Sequence, residues 1–257
     1  MPRRLFIGTA SWSIPRTFAP QCGGPGTHLE RYARRFGGAE INSSFYRPHV
    51  AATYAKWASS TPPNFQFAVK VPRHITHELA LRRARVPLDQ FLVESAGLAE
   101  KRGPLLVQLP ASHVFDARVA GRFFDLLRSR YDGPVVCEPR HASWLAAPVD
   151  ALLTRYQVAR VAADPARAPG LERPGGWPGL VYYRLHGSPR TYWSRYDAAF
   201  IDAMATSLRS VPAAVDAWCI FDNTASGAAM ENAQDLQVRT ARGPRPAWRR
   251  PQRRGAM

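Results

Sequence analysis

Apolar residues gather in eight short runs along the chain: Leu5 to Thr9, Ala39 to Asn42, Gln66 to Lys70, Leu105 to Leu109, Val135 to Glu138, Val158 to Asp164, Val181 to His186 and Trp218 to Asp222. Runs of this length, rich in branched and aromatic residues, predict strands. Most intervals between them carry a helical period instead. Thr27 to Phe36 opens with a T-x-x-E capping box formed by Thr27 and Glu30. Ala51 to Ser59 follows Pro48, and Leu88 to Lys101, Asp116 to Arg130, Ser143 to Tyr156 and Ala198 to Ser210 repeat apolar residues at helical spacing, as Phe123, Phe124 and Leu127 do. The sixth connection, Pro165 to Gly179, holds four Pro and four Gly and predicts an open loop. Strand–helix alternation through eight units in 257 residues predicts an α/β fold, a single-domain (β/α)8 TIM barrel over 1–237 with an irregular sixth connection. Residues 238–257 are rich in Arg and Pro without apolar periodicity and predict a disordered tail.

The strand ends carry the functional argument. Stepping back by two from each polar terminus gives the sets Ile7, Thr9, Ser11; Glu40, Asn42; Ala68, Lys70; Leu106, Gln108; Val136, Glu138, Arg140; Ala162, Asp164; Tyr182, Arg184, His186; and Ile220, Asp222. If the apolar member of each set faces the barrel interior, the polar member faces it one layer higher. Barrel active sites lie at this C-terminal rim. The alternative is that Arg–carboxylate pairs merely fill the top layer, since buried charges are paired.

Composition narrows the classes. Formal net charge is +16, from thirty-two Arg and three Lys against nineteen acids. Removing 238–257, with seven of the Arg, leaves +9. Such a balance speaks to solubility and non-specific association and not to fold. Cys22, Cys137 and Cys219 are sparse and form no CxxC pair, so a reducing cytoplasm is the expectation. The apolar run after the N-terminal arginines is too short for a signal-peptide core, and nowhere do 18 apolar residues occur together, so no membrane association is expected.

The segments GTASW (Gly8 to Trp12), EINSSFYR (Glu40 to Arg47), FAVKVPRHITH (Phe67 to His77), GPLLVQLP (Gly103 to Pro110), EPRHASW (Glu138 to Trp144), YYRLHGSPRTYWSRYD (Tyr182 to Asp197) and FDNTASGAAMENAQDL (Phe221 to Leu236) resemble the YecE-like family. The resemblance spans Gly8 to Leu236 in order. It implies a TIM-barrel fold and no particular reaction, so the chemistry rests on the residues.

Four constellations follow. Loops HGSPR (His186 to Arg190) and DNTASG (Asp222 to Gly227) follow strands seven and eight, where barrels often hold phosphate, and the second enters a helix from Ala228 to Leu236. Arg140, Arg184 and Arg190 offer bidentate contacts to an anion. For acid–base work, Glu138 serves as base, His186 as acid and Asp222 as its neighbour, with Lys70, Arg140 and Arg184 stabilising negative charge. Glu40, Asn42, Gln108, Asp164 and Asn223 complete a ligand-contacting ring. Metal binding is disfavoured, because Lys70, Arg140 and Arg184 end strands in the same ring and no His or Cys spacing compels a site. Lastly, Phe45, Tyr46, Arg47, Arg73, Arg190, Tyr192, Trp193 and Arg195 would form an aromatic–Arg rim able to stack bases. The sequence thus points to an anionic, phosphorylated ligand that is bound and hydrolysed or isomerised, with non-catalytic nucleic-acid or nucleotide binding as the rival. No cofactor or oligomeric state follows from it.

Overall fold

The computed structural model of the chain describes residues 3–241. Its strands are β1 (Leu5–Thr9), β2 (Gly38–Ile41), β3 (Gln66–Lys70), β4 (Arg102–Gln108), β5 (Val135–Glu138), β6 (Val158–Arg160), β7 (Ala162–Asp164), β8 (Gly175–Gly176), β9 (Leu180–Leu185) and β10 (Asp216–Phe221). They form two sheets, ordered β1-β10-β9-β7 and β2-β3-β4-β5-β6-β8. Every pairing is parallel except β6 with β8. The sheets adjoin twice. Val161 alone separates β6 from β7, and a parallel bridge joins Ala10 to Glu40, with the Ser11 amide donating to the Glu40 carbonyl at 2.9 Å.

Two apolar layers explain why the strands alternate as they do. Phe6, Ala68, Leu106, Val136, Ala159, Val161, Tyr182, Trp218 and Ile220 make one cluster drawn from both sheets. Trp218 stacks there on Phe6 at 4.5 Å and on Tyr182 at 5.9 Å. Their neighbours in sequence, including Ile7, Val69, Val107, Cys137, Tyr183 and Phe221, pack on the other face with Ile41 and Leu185. That face is covered by α1 (His28–Ala33), α3 (Ala51–Ser59), α4 (Arg85–Ser95), α5 (Ala117–Arg128), α6 (Ala147–Arg155), α7 (Ala198–Ser210) and α8 (Ala228–Ala241), numbered after the one-turn α2 (Ser43–Tyr46). Strands buried on both faces are what near-continuous apolar runs require.

The expected Thr27–Glu30 box caps α1 reciprocally. Leu88 to Lys101 is not one helix: α4 ends at Ser95, and a 3-10 segment, Ala96–Lys101, follows with Ala99 at φ +49°. The cause is close packing on α3, where a Cβ on Gly97 would lie 2.1 Å from the Ala51 carbonyl oxygen. The sixth connection has no helix and contributes only β8. Helix α8 runs to Ala241, so the segment from Val238 to Ala241 is helical and not tail; residues 242–257 lie outside the described residues. Among the described residues no helix is long and apolar enough to cross a membrane.

The layers also correct two expected strand faces. Ile7 packs on the helix side, and the Thr9 hydroxyl meets the Tyr32 hydroxyl at 3.1 Å there; Phe6 and Ala10 face the shared interior instead. Likewise Ala159 and Val161 face the interior, so Ala162 and Asp164 point the other way. In both runs the polar terminus falls on the helix-facing parity, which stepping back from it does not reveal.

Candidate functional site at the strand ends

Because the paired strands carrying it run parallel, their C-terminal residues share one end of the molecule. Glu40, Lys70, Gln108, Glu138, Arg184, His186 and Asp222 are all buried there. Arg184, which is fully buried, organises them. Its Nε and Nη2 donate to the two oxygens of Glu40 at 3.0 and 2.7 Å, Nη2 also to Asp222 Oδ2 at 3.1 Å, and Nη1 to Glu138 Oε2 at 2.5 Å. Tyr182 donates its hydroxyl to Glu40 Oε2 at 2.9 Å. His186 bridges two carboxylates, Nδ1 to Asp222 Oδ2 at 3.0 Å and Nε2 to Glu138 Oε1 at 3.3 Å. Arg140 reaches the same Glu138 oxygen through Nε at 3.0 Å.

The electrostatics follow from this geometry. Burial alone would raise the Glu138 carboxyl, but Arg184, then Arg140 and His186, hold it well below the usual carboxylate range. Asp222 is lowered in the same way, with Arg184 and His186 outweighing its burial. Burial opposes the charged form of His186, yet its hydrogen bonds to Asp222 and Glu138 raise it above an ordinary histidine. In Arg184, the three carboxylates overcome burial and fix the guanidinium charge. Lys70 differs. Burial, reinforced by Arg184, pulls its ammonium down to about 8 against the pull of Glu40, Glu138 and Asp222. Its Nζ stands 4.0 Å from the centroid of the Phe45 ring. Among the described residues this ammonium has no hydrogen bond or ion pair, while the Lys70 carbonyl accepts from the Ser44 hydroxyl at 2.7 Å.

Several expected roles change. Glu138 is a saturated carboxylate and therefore a weak base, since both oxygens already accept charged donors. Lys70, pulled down to about 8, is a stronger candidate base than this carboxylate. Arg184 is closed off by carboxylates and offers nothing to a phosphate. The DNTASG loop offers little more: the amides of Ala225 and Gly227 donate to the Tyr192 and Thr224 carbonyls, that of Ala228 to the Ser226 hydroxyl, and this hydroxyl to the Trp193 carbonyl. Asn223 is fully buried and ties loops together through Ser194 and Asn232. Asp164 accepts from the Tyr196 hydroxyl at 2.8 Å, outside the cluster. Asn42 precedes α2 with its Oδ1 buried and unpartnered, and Gln108 donates to the Leu109 carbonyl. Of the aromatic rim, Tyr46, Tyr192 and Trp193 are exposed, while Phe45 is buried beside Lys70. Arg190 lies over Trp193 at 4.5 Å.

Two further residues stand at the mouth in positions that strand parity did not point to. His77 is brought back by a single π turn, His74–Glu78, against the Phe45 ring; burial, then Lys70 and Arg140, lower it to about 4, so it is neutral. Tyr192 sets its ring edge-on to His186 at 5.6 Å. Neither position belongs to a periodic pattern. Space is tight beside Glu138: Arg140, His186, Thr191 and Tyr192 help enclose about 10 Å³, room for roughly one water. A separate, roomier cavity of about 450 Å³ is lined by Phe45, Arg47, Arg73 and His74 among others. Among the described residues no group of three or more His, Cys, Asp or Glu is arranged to hold a metal ion. Glu40, Glu138 and Asp222 converge on a guanidinium, in the position a cation would need.

These features define an α/β protein of parallel sheets whose strand ends enclose an ionic cluster. The chain belongs to the family described as protein of unknown function DUF72, whose model matches residues 6–254. It is 31% identical over 145 residues to the UPF0759 protein YecE of Escherichia coli K12, covering 55% of this chain and 50% of that protein. With the UPF0759 protein YunF of Bacillus subtilis it shares 29% identity over 85 residues, 33% of this chain and 29% of that one. The matched segments thus span half or less of these relatives. Among solved structures, a DUF72 family protein of Enterococcus faecalis aligns with a TM-score of 0.79 at 21% identity, over 94% of this chain and 97% of the other. One from Thermotoga maritima aligns at 0.75 and 21%, over 93% and 100%. The likeness establishes the fold.

Proposed function

We propose that the two sheets close into one (β/α)8 barrel, through Val161 and the Ala10–Glu40 bridge, and that its mouth binds a small anionic, phosphorylated ligand. One observation carries the reading: every carboxylate of the cluster is already matched by a cation or imidazole, whereas the Lys70 ammonium has no partner among the described residues. An incoming anion finds the Lys70 ammonium and the outer face of Arg140, which is 18% exposed in its side chain. An incoming metal finds only occupied oxygens. Hydrolysis or isomerisation of the ligand would draw on Lys70 and the His186 imidazolium for proton transfer, with Glu138 and Asp222 holding the imidazolium charged.

The test is thermal unfolding with inorganic phosphate. A ligand that binds the native state alone raises Tm with concentration, by about 2.7 kcal/mol of stability at a hundred times Kd. The increment is expected in the wild type and to fall at least about tenfold in apparent affinity in Arg140→Gln, the loss of a charge-assisted contact. A Tm indifferent to phosphate, or unchanged dependence in Arg140→Gln, sinks the reading.

Exposed Tyr46, Tyr192 and Trp193, with Arg190 stacked on Trp193, favour a second reading, a non-catalytic mouth that stacks the bases of a nucleic acid or nucleotide. It requires oligonucleotide affinity that falls steeply with salt and weakens in Trp193→Ala.

A further inference from the structure

Lys70 is built unlike a residue that only attracts anions. A lysine for that purpose keeps its ammonium hydrated, yet here the residue is 7% exposed and its Nζ rests on the Phe45 ring, with no hydrogen bond or ion pair among the described residues. Charged groups face it from every side of the mouth. Glu40 comes from β2, Glu138 from β5, Arg184 from β9, Asp222 from the end of β10, and neutral His77 lies across the shared Phe45 ring. The carboxylates are clamped on Arg184, so they do not close on Lys70 as a salt bridge. A desolvated amine beside a second cation, over an apolar surface, is the environment that leaves a lysine partly neutral and nucleophilic. Phe45 also lines the 450 Å³ cavity, whose wall carries Arg47 with no ion pair among the described residues.

We propose that Lys70 is a nucleophile that condenses with the carbonyl carbon of a small anionic aldehyde or ketone at this mouth. This rests on the anion-binding reading above for the ligand's charged group, but not for the amine itself. The Nζ lone pair forms the C–N bond while the carbonyl π pair moves to oxygen, which takes a proton. A second proton converts that hydroxyl to water, which leaves as the nitrogen lone pair forms the C=N bond. The proton released by Nζ balances one of those consumed. The protonated imine accounts for the other. His186 and water at the mouth exchange these protons. No oxidant, reductant or metal enters the step.

Three lysines make the test clean. Lys56 is exposed, and the Lys101 ammonium is tied to the carbonyls of Ala58 and Thr61 and the Thr61 hydroxyl. The full chain is treated with glyoxylate and cyanoborohydride, and carboxymethylation is located by peptide mass mapping. Lys70 is expected to be modified about tenfold or more faster than Lys56 near pH 7.5, because far more of it is unprotonated there. Its rate should reach half-maximum near pH 8, where burial and Arg184 set its titration. Modification of Lys56 at an equal or greater rate, in protein that still gains stability from phosphate, overturns the nucleophile and leaves anion binding standing. Preferential modification of Lys70 by uncharged acetaldehyde as fast as by glyoxylate, unaffected in Arg140→Gln, upholds the amine and overturns the anion reading.

Discussion

His186 holds both nitrogens on carboxylates, so folding raises its proton affinity above that of the unfolded chain. Stability from this group is therefore present in full below the ordinary imidazole value, about 6.5, and is lost as pH rises through the raised folded value. The urea midpoint of the wild type should fall between pH 6 and pH 8, and that slope should flatten in His186→Asn; equal slopes would show that the imidazole is not held between the carboxylates. Lys70 acts with the opposite sign and at higher pH. Its folded value of about 8 adds stability only as pH rises from there toward the ordinary lysine value. At this scale much of the cluster was legible in sequence. A two-residue period identifies Glu40, Lys70, Gln108, Glu138, Arg184, His186 and Asp222 as one inward set. What the period cannot give is each group's partner. Saturation of Glu138 and Arg184 arises from contacts between residues 40, 138, 184 and 222, and Asp164 is drawn off by Tyr196, a residue of the loop between β9 and α7.

Elements are placed by backbone approaches that sequence pattern barely registers. Gly8 in β1 is the sharpest case. A Cβ there would sit 2.0 Å from the Gly38 carbonyl oxygen and 2.8 Å from the Tyr32 hydroxyl, so β1 and β2 come this close only because residue 8 lacks a side chain. Backbone cannot retreat as a flexible side chain can. Gly8→Ala is expected to destabilise by about 1–3 kcal/mol in urea denaturation, as overpacking does, and to weaken the phosphate-dependent Tm increment by shifting Glu40, the first partner of Arg184. Unchanged stability would mean that β1 and β2 lie farther apart. The strands themselves were plain in the apolar runs, and α5 and α7 in their periodicity. Helix ends were less so. The break at Ser95 comes from Gly97 seating against α3, and the extension of α8 to Ala241 from packing on α7, both tertiary causes.

For the whole molecule, the mouth depends on whether the two sheets act as one. Each sheet alone would leave edge strands: β1 and β7 in one, β2 at an end of the other. Unpaired edges open locally and exchange their amides well before the protein unfolds. A closed barrel has no such edges, and Glu40, on β2, stays registered with Arg184, on β9 in the other sheet. The seam amides discriminate. Ser11 donates across the seam to the Glu40 carbonyl at 2.9 Å, while Ala10 donates to the Phe221 carbonyl and Val71 to the Leu106 carbonyl, both at 2.9 Å and each within one sheet. With closure, native-state hydrogen exchange should protect Ser11 as strongly as Val71, both opening only with global unfolding. Exchange at Ser11 about tenfold or more faster than at Val71 would mark a seam that opens by itself. The Arg184 clamp would then couple two independently moving sheets, and the single anion-binding mouth would lose the rigid frame it requires.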